Sequence, residues 1–202
     1  MKQFLKHPAI YQLYQEVGGF FAARIRAIRD YLEIRPGARI IDIGCGPGHI
    51  VRHLPRGIDY IGLDIDRPSI DYASARFGNC GCFQMRFFDA AAVDELGPVD
   101  IVMMNGVMHH IGDADLEATL VNAKAALKPH GVLFTLDGCY VAGQSWIDKW
   151  LLDNDRSAHV RDEAGYRRLL GRVFGRVDMY IRDDYSRLPY TFAIGVARGD
   201  RV

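Results

Sequence analysis

The spacing of apolar residues alternates between two periods along the chain. From Leu5 to Leu32 they recur at helical intervals (Ile10, Leu13, Tyr14 and Val17, then Phe21, Ile25, Ile28 and Leu32), which predicts two helices broken at Gly18-Gly19. Short β-rich runs follow at Ile40–Ile43, Tyr60–Leu63, Phe83–Phe87, Ile101–Met104 and Val132–Leu136. A strand covered on both faces shows no polar side, so such runs separated by helical stretches predict a parallel sheet wrapped by helices. Two of the intervening helices have readable ends. Arg67–Gly78 closes on glycine, and a longer helix starts at the acidic Asp113 and stops before Pro129.

After Leu136 the alternation lapses, and residues 137–161 read as an inserted helical cover. A helix at Glu163–Val173 and two strands, Val177–Arg182 and Tyr190–Ala197, complete the pattern. The short DDYSRLP link between those strands predicts an antiparallel hairpin at one sheet edge. The expected organisation is one domain over 1–202, with N-terminal helices in 1–35.

Composition narrows the partners. With 202 residues, 49% hydrophobic and 25% charged, the chain can bury a substantial core. Lys plus Arg and Asp plus Glu both total 25, so no net basic field draws it to nucleic acid or anionic lipid, and neither is expected as a partner. No apolar run approaches the roughly 18 residues of a membrane span, and the N-terminus lacks a signal-peptide core, so the expected location is the cytoplasm. Cys45, Cys80, Cys82 and Cys139 form no C-x-x-C pairs, which argues against a disulfide framework or a zinc site.

Candidate chemistry begins at RIIDIGCGPGHIV, where the first β-rich run enters a glycine-rich turn at Gly44, Gly46 and Gly48. Small residues there let a ligand approach the backbone. A dinucleotide fingerprint would place its third glycine at position 49, which is His49, so a nicotinamide or flavin cofactor is disfavoured. Asp42 precedes the turn by two residues, where it can accept from a cationic ligand or hold the loop. About 20 residues beyond Gly44 stands Asp64, the spacing at which a carboxylate meets ribose hydroxyls. RFFDA then supplies Asp89, the fourth run ends in NGVMHHI, and the fifth is introduced by LKPHG.

As a set, these residues resemble the class I S-adenosylmethionine-dependent methyltransferases. Their acid-then-G-x-G-x-G motif is matched by Asp42-Ile-Gly44-Cys45-Gly46-Pro-Gly48, and the resemblance runs from about Arg39 to Leu136. His130 departs from the pattern, standing where the family usually has a second glycine. The resemblance implies an α/β, Rossmann-like three-layer sandwich whose seven-stranded sheet is mostly parallel with one antiparallel strand. It implies S-adenosyl-L-methionine as cofactor and S-adenosyl-L-homocysteine as product. It also implies that the Gly44–Gly48 loop, with Asp42 and Cys45, lies at the methionine part of the cofactor. Asp64 would hold the ribose, Ile65 would pack on the adenine, Asp89 with Ala90 would meet the adenine edge, and Asn105 and Gly106 would lie beside the methionine part.

Methyl transfer from a sulfonium is an in-line displacement that asks mainly for alignment and exclusion of water. An acceptor that must lose a proton also needs a base, and histidine suits that near neutral pH. His110 and His109, just past the fourth run, are the candidates. Tyr14, Tyr140, Trp146, His159 and Arg161 are candidate acceptor contacts, with Trp150, Leu151 and Leu152 as apolar lining and Asp137 as a further polar fixture. Asp137 with Asp153–Asp155 invites a magnesium reading, but clustered Asp and Asn more often mark turns, and no metal is expected. The expected partner is a small-molecule acceptor methylated on oxygen, nitrogen or carbon. A protein acceptor, and a protein that binds the cofactor without transferring from it, stay open, as does the choice between monomer and homodimer.

Overall fold

The computed structural model describes residues 18–155 and 158–199. Helix α1 (Phe20–Tyr31) opens it. The first of the two expected N-terminal helices, with Tyr14, lies outside the described residues. Strands β1 (Arg39–Ile43), β2 (Asp59–Asp64), β3 (Cys82–Met85), β4 (Val99–Asn105) and β5 (Leu127–Tyr140) follow, with α2 (Arg67–Phe77), α3 (Ala90–Leu96) and α4 (Asp113–Ala126) between them. The chain then forms α5 (Trp146–Asp153), β6 (Arg161–Asp162), α6 (Glu163–Val173), β7 (Arg176–Arg182) and β8 (Phe192–Arg198).

The strands lie in the order β3-β2-β1-β4-β5-β8-β7, and the two-residue β6 pairs with β5 off that path. β1 to β5 are mutually parallel, while β8 runs antiparallel to both β5 and β7. This is the mostly parallel sheet with one reversed strand that the resemblance implied. Strand alternation sends side chains into two cores. Ile40, Ile101, Met103, Phe134 and Leu136 meet α1 and α5 on one face, and Ile41, Ile43, Val102, Met104 and Leu133 meet α3, α4 and α6 on the other. Burial on both faces is why these strands read as unbroken apolar runs.

The helices start where short polar side chains capture free amides. Asp66, Asp89, Ser145 and Asp162 each accept from the amide three residues on, opening α2, α3, α5 and α6. At α1 the cap is Gly19, with φ of 77°, and the amide of Arg187 donates to Gly18 at 3.0 Å. The loop between β7 and β8 thereby braces α1, and Arg26 adds an ion pair to Asp184 at 3.1 Å.

Local features add to or correct the sequence pattern. After the glycine loop the chain makes a short 3-10 turn, His49–His53. The seven-residue α3 is too short to show a helical period and had no counterpart in the sequence pattern. β5 continues to Tyr140, so Asp137 belongs to the sheet and the cover reduces to α5 and the segment after it. His130 is exposed, whereas a Cβ on Gly131 would lie 2.8 Å from Leu127, so the glycine that matters is the one retained.

The cover is tied to the sheet by Asp148, 4% exposed, which accepts from the amide of Thr191 at 3.1 Å and from its hydroxyl at 2.5 Å. Thr191→Val removes the hydroxyl and leaves that buried carboxylate short of a donor. We expect a loss of roughly 1–3 kcal/mol in urea denaturation.

Candidate active site

The sheet order reverses between β1 and β4, and in open α/β sheets the crevice at such a switch point, beyond the carboxyl ends of the strands, is where ligands bind. The loops that follow these two strands meet there. Gly44, Gly46 and Gly48 all have positive φ, at 69°, 53° and 74°. A Cβ on Gly44 would lie 2.5 Å from Val107 of the β4 loop, and one on Gly48 would lie 2.7 Å from Phe83, so these two glycines serve packing. A Cβ on Gly46 would meet nothing within 4 Å. Gly46 therefore presents bare backbone to open space.

The end of β2 holds this loop. The amides of Gly44 and Cys45 donate to the Leu63 carbonyl at 2.7 and 3.0 Å, and the Gly46 amide donates to Asp64 Oδ2 at 2.8 Å. Asp64 Oδ1 accepts from the Asp66 amide at 2.9 Å. A carboxylate has about four acceptor positions, so both oxygens retain capacity for ligand hydroxyls. Beside Asp64, Ile65 is 62% exposed, and beyond the adjacent β3 Phe87 is 72% exposed. Two apolar side chains thus flank the same sheet edge, where a flat ring can cover them. Asp89 is the cap of α3 and Ala90 its first residue, with Asp89 also 3.9 Å from Arg86.

Asp42 lies beneath the loop with no exposure. Tyr60 donates to its Oδ2 at 2.7 Å, and the Asn105 amide lies 3.5 Å from its Oδ1. Burial pushes this carboxyl up to about 6, against the hydrogen bonds from Tyr60 and Asn105 and the positive charge of Arg24. Asn105 Oδ1 is buried without a partner. The bare backbone at Gly46, this unpartnered oxygen and the exposed apolar pair are the features that a nucleoside with a polar tail would complete. Cys45 is buried, and burial raises its thiol far above the usual range, so it is not a nucleophile.

Beyond β4, the turn Met108–His110 carries both histidines. His109 is buried, its Nδ1 lies 2.6 Å from Asp137 Oδ1, and its amide donates to the same oxygen at 3.2 Å. Burial alone would lower the His109 pKa, but the hydrogen bond and charge of Asp137 prevail and raise it. His110, with its ring 4.2 Å from that of His109, is shifted down by burial and by its neighbour. Both line a cavity of about 50 Å³, together with Arg24, Gly106, Asp137, Asp155 and the aromatic rings of Phe20, Tyr190 and Phe192.

The other candidate contacts are placed differently. All five donors of Arg161 are used, on Asp113 and on the carbonyls of Met108, His159 and Ile111. Arg161 is a brace for the histidine turn, not an acceptor contact. Tyr140 donates to Asp153 at 2.8 Å within the cover, and Trp146 is 78% exposed. The His159 amide donates to the His109 carbonyl at 3.1 Å. Of the acidic set, Asp137 and Asp155 line the histidine cavity, while Asp153 pairs with Tyr140 and Lys149. Donor atoms of His109, His110 and Asp155 lie within 4.8 Å of one another, but Arg24 lines the same cavity and opposes a cation there. The Asp137 partner of His109, the Tyr60 support of Asp42 and the presence of Arg24 had no signal in the sequence pattern.

The reversed strand order and the glycine loop at the switch point give a Rossmann-like fold, which this chain shares with solved methyltransferase structures. Residues 41–133 match the family model described as a methyltransferase domain. The TehB-like SAM-dependent methyltransferase from Corynebacterium glutamicum superposes over 98% of this chain and 98% of its own, with TM-score 0.65 and 18% identity. The pyocyanin biosynthetic protein PhzM superposes over 98% of this chain and 61% of its own, with TM-score 0.73 and 19% identity. In sequence, the ubiquinone biosynthesis O-methyltransferase of Brucella ovis is 26% identical over 158 residues, 73% of this chain and 62% of that protein. The chain spans 44 to 62% of the length of such curated relatives. Among the described residues, no helix is long and apolar enough to cross a membrane.

Asp42 makes a pH prediction. Its native pKa of about 6 lies above the ordinary 3.8, so between those values the native state holds a proton that the unfolded chain has lost. The resulting stabilisation is complete below about pH 4 and disappears as pH rises through 6. Asp42→Asn cannot ionise. Its stability relative to wild type should therefore grow by on the order of 2 kcal/mol between pH 4 and 6.5, read from urea midpoints at each pH.

Proposed function

We propose that this protein is an S-adenosylmethionine-dependent methyltransferase acting in the cytoplasm on a small-molecule acceptor that loses a proton, such as a hydroxyl or an amine. The observation that carries the reading is the His109–Asp137 pair, 2.6 Å apart in a cavity bounded by Gly106 at the switch point. When bound, the cofactor supplies an electrophilic methyl group on a sulfonium. The Gly44–Gly48 loop, Asn105 and Gly106 would hold its methionine part, Asp64 its ribose, and Ile65 with Asp89 and Ala90 its adenine.

His109 is the base in this reading. A neutral His109 donates its Nδ1 proton to Asp137, which fixes the tautomer and leaves Nε2 with a lone pair. The Asp137 charge makes that nitrogen more basic and stabilises the imidazolium formed when it takes the acceptor's proton. His110 is weakened as a base by burial and by its neighbour His109, which outweigh the charges of Asp155 and Asp137, so it contacts or orients the acceptor. The arrangement suits oxygen or nitrogen acceptors. The ubiquinone biosynthesis O-methyltransferases among the relatives support that choice.

The test is a release assay for S-adenosylhomocysteine across a panel of phenols and amines, with calorimetric titration of the nucleoside alongside. His109→Gln should lower kcat by roughly 10²–10⁴-fold while leaving S-adenosylhomocysteine affinity within about twofold. Full turnover by that variant at saturating acceptor would remove His109 as the base. In wild type the rate should rise with pH through the elevated His109 pKa. Asp137→Asn should move that limb to lower pH, because burial then acts without the opposing carboxylate, and should also reduce the plateau.

Gly46→Ala isolates the cofactor cradle. Its methyl group meets no protein atom, so the cost to stability should be confined to left-handed backbone strain, about 1–2 kcal/mol. Because that methyl occupies the open face, affinity for S-adenosylhomocysteine should fall at least about tenfold in the same titration.

A further inference from the structure

α1 stands outside the alternation of strand and helix, yet Phe20 on its first turn forms part of the cavity wall. The other aromatic side of that wall, Tyr190 and Phe192, comes from the start of β8 and the residues just before it. The Phe20 ring stands edge-on to Tyr190, with centroids 4.9 Å apart, and to Phe192 at 6.4 Å. Edge-to-face contacts hold only while the two elements keep one distance and one angle. Whatever fixes α1 against the β7–β8 hairpin therefore fixes the wall.

The hairpin loop does so at the far end of α1. Tyr185 donates its hydroxyl to Asp30, in the last turn of the helix. Two guanidiniums lie over its ring, Arg26 of α1 at 4.2 Å from the centroid and Arg182 of β7 at 5.5 Å. Arg26 also donates to the carbonyl and carboxylate of Asp184 at 3.0 and 3.1 Å. Arg182 donates to the Tyr31 hydroxyl at 2.8 Å, and the Tyr31 ring lies 4.3 Å from that of Tyr180 in β7. Arg26, Asp30 and Asp184 are about half exposed, so water competes for their pairing, whereas Tyr185 is 6% exposed and sits at the centre of the group. None of these side chains lines the cavity, so the group acts on it through α1.

We propose that Tyr185 is a positioning residue for the acceptor: by clamping α1 to the β7–β8 hairpin it holds Phe20 against Tyr190 and closes the aromatic side of the His109 cavity. The acceptor's part in this rests on the methyltransferase reading. Loosening the clamp withdraws one side of the wall. His109 and Asp137 are held by the β4 turn and by β5, and the glycine loop by β2, so the base and the nucleoside cradle keep their geometry. The cost falls on acceptor binding.

The experiment compares the full chain as wild type, Tyr185→Phe, Tyr185→Leu and Leu120→Val, the last a control for general destabilisation in the core on the opposite sheet face. NMR on protein with isotope-labelled aromatic side chains reads nuclear Overhauser contacts between the Phe20 and Tyr190 rings, and the panel of phenols and amines reads kcat and KM. The ring contacts should be kept in wild type and Leu120→Val, weakened in Tyr185→Phe, which retains the ring but not the bond to Asp30, and lost in Tyr185→Leu. With an acceptor that wild type turns over, Tyr185→Leu should raise KM at least about tenfold while kcat stays within about twofold. Its calorimetric affinity for S-adenosylhomocysteine should match wild type. Ring contacts that persist in Tyr185→Leu or vanish equally in Leu120→Val overturn the proposal, as does a loss in kcat with KM unchanged. If Tyr185→Leu does not fold, Tyr185→Phe decides by the same contacts. If wild type neither binds S-adenosylhomocysteine nor turns over any acceptor, the methyltransferase reading fails, and the ring contacts alone decide the clamp.

Discussion

The Tyr60 hydroxyl donates to the Asp42 carboxylate at 2.7 Å in a space with no solvent exposure, and the site above depends on that bond. Burial opposes a charge on Asp42, and the hydrogen bonds from Tyr60 and Asn105 work against that penalty. Asp42 and Tyr60 come from paired strands and share one sheet face, so the β1–β2 register brings them together. The same register places the Leu63 carbonyl and the Asp64 carboxylate against three successive loop amides. A one-residue slip would turn every one of these side chains to the other face.

A second constraint works across the switch point. Gly44 and Val107 pack where the first and fourth strands diverge, leaving no room for a side chain on Gly44. The turn after β4 is then fixed from outside by Arg161, which gathers three carbonyls around the histidines, and from within by Asp137 at the end of β5. His109 is therefore held by both its amide and its ring. Such double restraint keeps the imidazole in one orientation while the groups around it change.

Much of the fold was legible because the physical signal was local. Strands buried on both faces must be apolar throughout, and helices that start at Asp66 or Asp162 carry their own caps. The glycine loop was equally plain, since positive φ at Gly44, Gly46 and Gly48 demands glycine whatever the context. The short α3 and the length of β5 were not legible. α3 is defined by a cap and about two turns beyond it, and the outer half of β5 is defined by its partners β6 and β8 rather than by its own pattern.

The amino-acid sequence by itself determined the sheet, the glycine cradle and the carboxylates around it, because each is a property of residues close together in the chain or repeated at a fixed spacing. Only the tertiary structure decided which polar residues serve the site. Asp137 is 28 residues from His109, and Arg161 and Arg24 are separated from the histidine turn by most of the surrounding elements. Folding turned Arg161, an apparent ligand contact, into a brace with every donor used, and placed Arg24 in the wall of the cavity. Two arginines of identical chemistry thus take opposite roles, because a side chain's hydrogen-bonding capacity is allotted by its neighbours in space and not by its neighbours in sequence.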